Sequence, residues 1–149
     1  MPLDIQIVDK KSFYHQYPHN PSLIYQLKDH KLIYGKIGIP NKAKLSKLDL
    51  LMKLDWSDIV DENSNGNEIY HAIRNTLLVR MLLSKIIANS ALNRKAIEYM
   101  GINLLMNLRN NLASKTEKKV ALAYLEKLTK QTRKEITNSK WEKMTLSNR

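Results

Sequence analysis

The loop Asp61-Glu62-Asn63-Ser64-Asn65-Gly66 sets side-chain oxygens at alternate positions ahead of a glycine. A calcium loop of the helix–loop–helix kind begins this way, with oxygen ligands at its first, third and fifth positions and a turn glycine at its sixth. The rest of the pattern fails. Glu68 stands at the eighth position, where an apolar residue belongs, and Ala72 at the twelfth, where a bidentate glutamate closes the site. A polar turn capped into the next helix is the better reading. His15 and His19 have the spacing of two ligands on one helix face, but Pro18 between them opposes that helix. His30 and His71 stand apart in the sequence. Gly35-Lys36-Ile37-Gly38 lacks the remainder of a phosphate-binding loop. Asp55, Asp58, Asp61 and Glu62 read as solvated loop carboxylates, with no nucleophile–base pattern beside them. The expectation is no catalytic residue, no metal and no cofactor: a protein that is not an enzyme.

Charge is the stronger chemical signal. The chain has 149 residues, 25 Lys/Arg against 14 Asp/Glu, and a net charge of +11. Residues 1–40 hold five basic and three acidic side chains, 41–68 four and six, and 69–149 sixteen and five. The whole excess therefore falls in the C-terminal part, which favours an anionic partner such as nucleic acid or an acidic protein surface. Cysteine is absent, which excludes disulfide scaffolds, thiolate zinc sites and cysteine catalysis. No apolar run approaches the ~20 residues of a membrane span. Met1-Pro2-Leu3-Asp4 does not open a secretory signal, so a nuclear or cytoplasmic location is the default expectation.

The elements that must carry these charges are mostly helical. Residues 1–40 read as an N-terminal arm: Phe13, Tyr14 and Tyr17 cluster before Pro18 and Pro21. Leu23-Ile24-Tyr25 and Leu32-Ile33-Tyr34 then flank a polar turn, which predicts a β-hairpin within 22–40. Residues 41–138 read as the helical domain. Leu45, Leu48, Leu51 (or Met52) and Leu54 give one face of a helix over 41–54. A polar loop occupies Asp55 to Asn67. The run from 68 to 90 has a wide apolar face through Ile69, Ile73, Leu77, Leu78, Met81, Leu82, Ile86 and Ile87, broad enough for burial on two sides. A short break near Asn75-Thr76 would divide it. A last helix spans 115–138, with Thr116 as its expected N-cap and Val120, Ala121, Tyr124, Leu125 and Leu128 as its buried stripe. Residues 139–149 read as a loose tail, unless Trp141 docks onto the body or a partner.

Internal similarity runs through this domain. LDLLMKL (48–54) matches INLLMNL (102–108) at an offset of 54 residues, and the apolar positions of 78–86 match those of 120–128 at an offset of 42. Between the matched pairs lies NRKAIEYMGINLLMNLR (93–109), in which one apolar helix turn meets Gly101 and a second apolar run begins at once. Asn93, Arg94, Ile97, Gly101, Ile102, Leu104, Leu105 and Leu108 resemble the junction between armadillo repeats. That resemblance implies a mainly α fold: a short armadillo-like helical array of about two repeats, preceded by the hairpin or extended arm. It also implies a groove lined by the third helix of each repeat. Peptide-binding members place Trp and Asn there, four residues apart. The matching positions here are Met81 and Lys85, then Ala123 and Lys127, so recognition of basic peptides is not expected and the two lysines suit an acidic partner.

Two repeats are too few for a free-standing solenoid. The leading expectation is therefore a scaffold or adaptor subunit of a larger intracellular complex, nuclear or chromatin-associated if nucleic acid is near. It would contact partner proteins through Phe13, Tyr14, Tyr17, Lys85, Lys127 and Trp141. The alternative is non-specific DNA or RNA binding through Arg109, Lys115, Lys118, Lys119, Lys130, Arg133 and Lys134, which would weaken steeply with salt.

Overall fold

Three capping boxes decide where the principal helices begin. The Ser46 hydroxyl accepts the Asp49 N–H at 3.1 Å while the Asp49 carboxylate accepts the Ser46 N–H at 2.7 Å, starting α3, Lys47–Asp55. Asn65 and Glu68 exchange the same pair of bonds at 2.9 and 2.8 Å, starting α4, Gly66–Leu83. Ser114 and Glu117 do so at 3.2 and 2.8 Å, starting α7, Lys115–Asn138. Each box satisfies backbone N–H groups that a helix start leaves without partners, and losing the capping side chain costs about 1 kcal/mol. The last helix therefore begins at Ser114 and not at the expected cap Thr116, and its box is complete.

The computed structural model describes residues 9–27, 38–40, 42–86 and 88–147. Among them the chain is mainly helical, with α1 (Lys10–Gln16), a 3₁₀ turn (Tyr17–His19), α2 (Pro21–Gln26), α3, α4, α5 (Asn89–Met100), α6 (Ile102–Arg109) and α7. Two strands, β1 (Lys42–Ser46) and β2 (Lys143–Ser147), complete the order. No helix among the described residues is long and apolar enough to cross a membrane.

Helix α4 is the axis of the core and touches α2, α3, α5, α6 and α7. Ile69, Ile73, Leu77, Leu78, Met81 and Leu82 are buried along it, as the breadth of its apolar face anticipates. It runs unbroken through Asn75-Thr76, where a division was expected. The Thr76 hydroxyl lies 3.2 Å from the Ala72 carbonyl one turn back, within the helix's own surface, and does not interrupt it. Thr76 also meets Ser57 at 2.9 Å and Thr129 of α7 at 3.3 Å, and Ser57 donates to the Ala72 carbonyl at 3.1 Å. All three hydroxyls are buried. A single chain of donation, Thr129 to Thr76 to Ser57 to the carbonyl, gives every hydroxyl hydrogen a partner and ties α7, α4 and the loop after α3 together.

The segment before α4 departs from expectation in two places. Leu23, Ile24 and Tyr25 are helical, not the first arm of a hairpin, because Asn20 caps α2 by accepting the Leu23 N–H at 3.0 Å and Pro21 occupies the first turn. The second arm, Leu32-Ile33-Tyr34, lies outside the described residues. The predicted helix over 41–54 is a strand to Ser46 and a helix only from Lys47. That changes the phase of its apolar face: Leu50 and Leu54 are buried, while Leu48 and Met52 point outward.

The C-terminal tail is not loose. β2 pairs antiparallel with β1, Lys42 opposite Ser147 through Ser46 opposite Lys143. KAKLS and KMTLS both alternate polar and apolar residues, and Ala43, Leu45, Met144 and Leu146 all turn inward and are buried. Burying side chains of this size is worth about 1.5–3 kcal/mol each for Met144 and Leu146. Trp141 packs partly buried against the same core.

Gly66 and Gly101 serve different needs. A side chain on Gly66 would put its Cβ 2.7 Å from the Leu108 carbonyl oxygen, so the glycine lets the start of α4 press against the end of α6. Gly101 has φ +75° between α5 and α6, a conformation that disfavours other residues. The helix–glycine–helix step of 93–109 is thus formed as read.

Candidate functional site

The end of α6 held against Gly66 forms one wall of a broad groove. The Asn67 N–H donates to the Asn111 side chain at 2.8 Å, and its amide donates to the Arg109 carbonyl at 2.9 Å. These bonds place Arg109 beside the first turns of α4. Along α4, Tyr70 and Arg74 lie four residues apart on one face. The Arg74 guanidinium sits 5.7 Å from the Tyr70 ring centroid, and its Nη1 donates to the Tyr70 hydroxyl at 3.2 Å and to Asn93 Oδ1 of α5 at 2.6 Å. Neutral partners thus hold the guanidinium in place without cancelling its charge.

The groove, about 820 Å³, runs between α2, α4, α5 and α6. Its cationic side holds Arg74 and Arg109, with His71 beside them, and its amide groups are Gln26, Asn67, Asn75 and Asn93. Ile97, Ile102 and Met106 form an exposed apolar side. No described lining residue is acidic. Partial desolvation pushes the His71 pKa below its ordinary value, and the charges of Arg74 and Arg109 push it the same way. Both arginines therefore act on one imidazole, which stays neutral at pH 7.

A second surface feature lies on α3. Leu48, Met52 and Trp56 recur every four residues, 64%, 57% and 66% exposed, and Ile59 follows at 70%. Met52 and Trp56 open onto a hollow of about 710 Å³ that also receives His15, His19, Asp49 and Lys53. His19 Nδ1 lies 3.5 Å from the Asp49 carboxylate, and desolvation lowers the Lys53 pKa. Large apolar side chains ringed by polar ones are the usual anatomy of a protein contact.

The residues singled out in the sequence are dispersed. Phe13 and Tyr17 are core residues, packed with ring centroids 5.7 Å apart, and are not surface groups. These two are buried because α1 and the 3₁₀ turn fold back onto the body, while Tyr14 stays exposed. The Tyr14 hydroxyl accepts the Gly38 N–H at 3.2 Å. Lys85 lies in the turn after α4 with φ +57°, while Lys127 lies on α7 beside a recess of about 160 Å³ between Tyr99, Tyr124 and Ile73. Trp141 is half-buried on the core.

Of the proposed basic cluster, Arg133 is already paired, with Asp55 at 3.0 Å and Asp58 at 2.7 Å. Lys118 donates to the Ser64 carbonyl at 3.0 Å. Lys119, Lys130 and Lys134, with Lys127, remain exposed on the outer face of α7 without a carboxylate partner among the described residues. Lys115 is exposed in the first turn of α7, and Arg109 belongs to the groove instead.

Two signals in the sequence pointed to what that reading missed. The spacing Leu48-x₃-Met52-x₃-Trp56 marks a second apolar row on α3, and Tyr70-x₃-Arg74 marks a stacked pair on α4. The loop Asp61–Gly66 is a turn in the structure: the Asp61 carboxylate accepts the Asn63 and Ser64 N–H groups at 2.8 and 3.1 Å, which holds its pKa below the ordinary value. In comparisons with known protein families, curated proteins and solved structures, the chain matches none.

Proposed function

We propose that this protein is a non-enzymatic scaffold or adaptor subunit that docks a partner protein through the outer face of α3, within a larger nuclear or cytoplasmic assembly. The observation that carries the reading is the row Leu48, Met52 and Trp56, each more than half exposed on one helix face. Leaving such a row in water forgoes roughly 1.5–3 kcal/mol per side chain, which a matching apolar partner surface recovers. The polar rim of His15, His19, Asp49 and Lys53 fits the border of such a contact. The short helical array that resembles armadillo repeats is consistent with a body that completes itself on a partner.

The test is purification of the tagged protein from its own cells after nuclease treatment, in wild-type form and as Met52→Asp/Trp56→Asp. A fixed set of proteins retained by the wild type and lost from the variant is expected. Identical partners on both would remove the α3 face from consideration.

A second reading rests on a separate observation, the unpaired lysines 119, 127, 130 and 134 along α7. They would hold a nucleic-acid backbone without reading sequence, with affinity falling steeply between low and moderate salt. An affinity that hardly responds to salt would refute it.

A further inference from the structure

We propose that the groove between α2, α4, α5 and α6 is a second docking site, one that takes an acidic linear peptide whose carboxylates alternate with apolar side chains. This shares the adaptor reading but stands on a different surface from α3, and neither depends on the other.

Among the described residues, Arg80 and Arg133 meet carboxylates, whereas neither guanidinium in the groove does. Arg74 has five N–H donors and uses two, both on Nη1, for Tyr70 and Asn93. Its Nε and Nη2 hydrogens keep a planar edge that matches the two oxygens of a carboxylate. Arg109 supplies a second cationic head at the Asn67 end. Because the Tyr70 ring and the Asn93 amide already hold Arg74, less side-chain entropy is lost when an anion binds.

The remaining lining separates a peptide from other anions. Gln26, Asn67, Asn75 and Asn93 offer carboxamides, which both donate and accept, as an extended main chain requires. Ile97, Ile102 and Met106 form an exposed apolar side that a phosphate backbone would leave unmatched. A nucleic acid would want an open aromatic face for its bases. The two tyrosines of the groove offer none: Tyr70 lies under Arg74, and Tyr25 is buried, with its hydroxyl donating to the Ala88 carbonyl.

The experiment measures binding of a fluorescein-labelled octapeptide alternating glutamate and leucine to the full chain, by anisotropy. A lysine–leucine peptide and a labelled oligothymidylate serve as the comparison probes. The acidic peptide should bind and the basic one should not. Arg74→Ala and Arg109→Ala should each weaken binding by at least about tenfold, as expected when a charge-assisted bidentate contact is lost. Lys127→Ala/Lys130→Ala and Trp56→Asp should leave it unchanged. If Arg74→Ala does not fold, Arg109→Ala at the exposed end of α6 and Arg74→Lys, which keeps charge but loses the planar edge, carry the same test. The proposal is overturned by equal binding to wild type and groove variants, by no binding at millimolar peptide, or by oligothymidylate that competes for the groove. Loss through Trp56→Asp but not through the arginine variants would assign the peptide to α3.

Discussion

The groove and the outer face of α7 both carry uncancelled positive charge, and they differ in how that charge is held. In the groove, the Arg74 guanidinium is held by the Tyr70 ring and hydroxyl and by the Asn93 carboxamide, and the Arg109 backbone is set by an α6 that is pressed against Gly66. On α7, lysines 119, 127, 130 and 134 are exposed along one side of the helix. Fixed, planar donors in a concave, amide-rich setting can discriminate the shape of an anion. Mobile ammonium groups on a ridge respond to the density of charge and little else. Net charge alone, +11 for the chain, does not distinguish these two behaviours.

Three perturbations would sharpen or break this contrast. The largest effect is expected from Gly66→Ala. Its Cβ would stand 2.7 Å from the Leu108 carbonyl, so α4 and α6 must separate, at a cost of about 1–3 kcal/mol typical of overpacking. Thermal unfolding should show that loss. The same change should weaken acidic-peptide binding while leaving any salt-dependent polyanion binding on α7 intact. Equal damage to both would mean the groove and the ridge are not separate devices.

A smaller effect concerns pH. The His71 pKa is lowered by desolvation and by Arg74 and Arg109, so the imidazole is neutral at pH 7. The carboxylates of an acidic ligand offset the charges of Arg74 and Arg109. Peptide affinity should therefore rise, by about threefold for one added near-surface charge, as pH falls below the ordinary histidine range and His71 gains its proton. In the unliganded protein the sign reverses. The folded state binds this proton less readily than the unfolded one, so the His71 contribution to stability is complete above the ordinary histidine pKa and is lost as pH falls below it and through the lowered folded value. His71→Gln should flatten both profiles, and an unchanged peptide profile would place His71 outside the site.

The smallest effect belongs to the ridge. Lys127→Ala, Lys130→Ala and Lys134→Ala should each alter stability by no more than about 0.5 kcal/mol, since these groups are solvated and unpaired. A larger loss in chemical denaturation would mean that they contribute to the fold, and that the contrast with the groove is overdrawn.

Much of the architecture was legible because helices announce their buried face by spacing. The core of α4 from Ile69 to Leu82 and the glycine step at Gly101 are where the pattern puts them. The span of α7 is too, but its N-cap shifted to Ser114 because Glu117 completes a box that Thr116 cannot. Strands of five residues announce themselves weakly. KAKLS and KMTLS are separated by most of the chain, and only their pairing shows that the alternation in each is a buried face. The N-terminal aromatics misled for a related reason. Phe13 and Tyr17 are equally compatible with a partner or with the chain's own core until α1 and the 3₁₀ turn are seen folded onto it.

Composition and order determined that the chain is mainly helical, that its positive charge lies after residue 68, and that cysteine chemistry is excluded. These are properties of residue type and of local periodicity, which need no partner in space. Tertiary structure alone decided which of the charges are cancelled. Arg133 meets Asp55 and Asp58 across more than seventy residues, while Arg74 and Arg109, from different helices, share one groove without a carboxylate. It also decided that Leu48, Met52 and Trp56 face outward, because α3 packs against α4 and α7 with Leu50 and Leu54 inward. Charge pairing and the choice of which apolar row is buried both depend on contacts between distant segments, which local spacing does not settle.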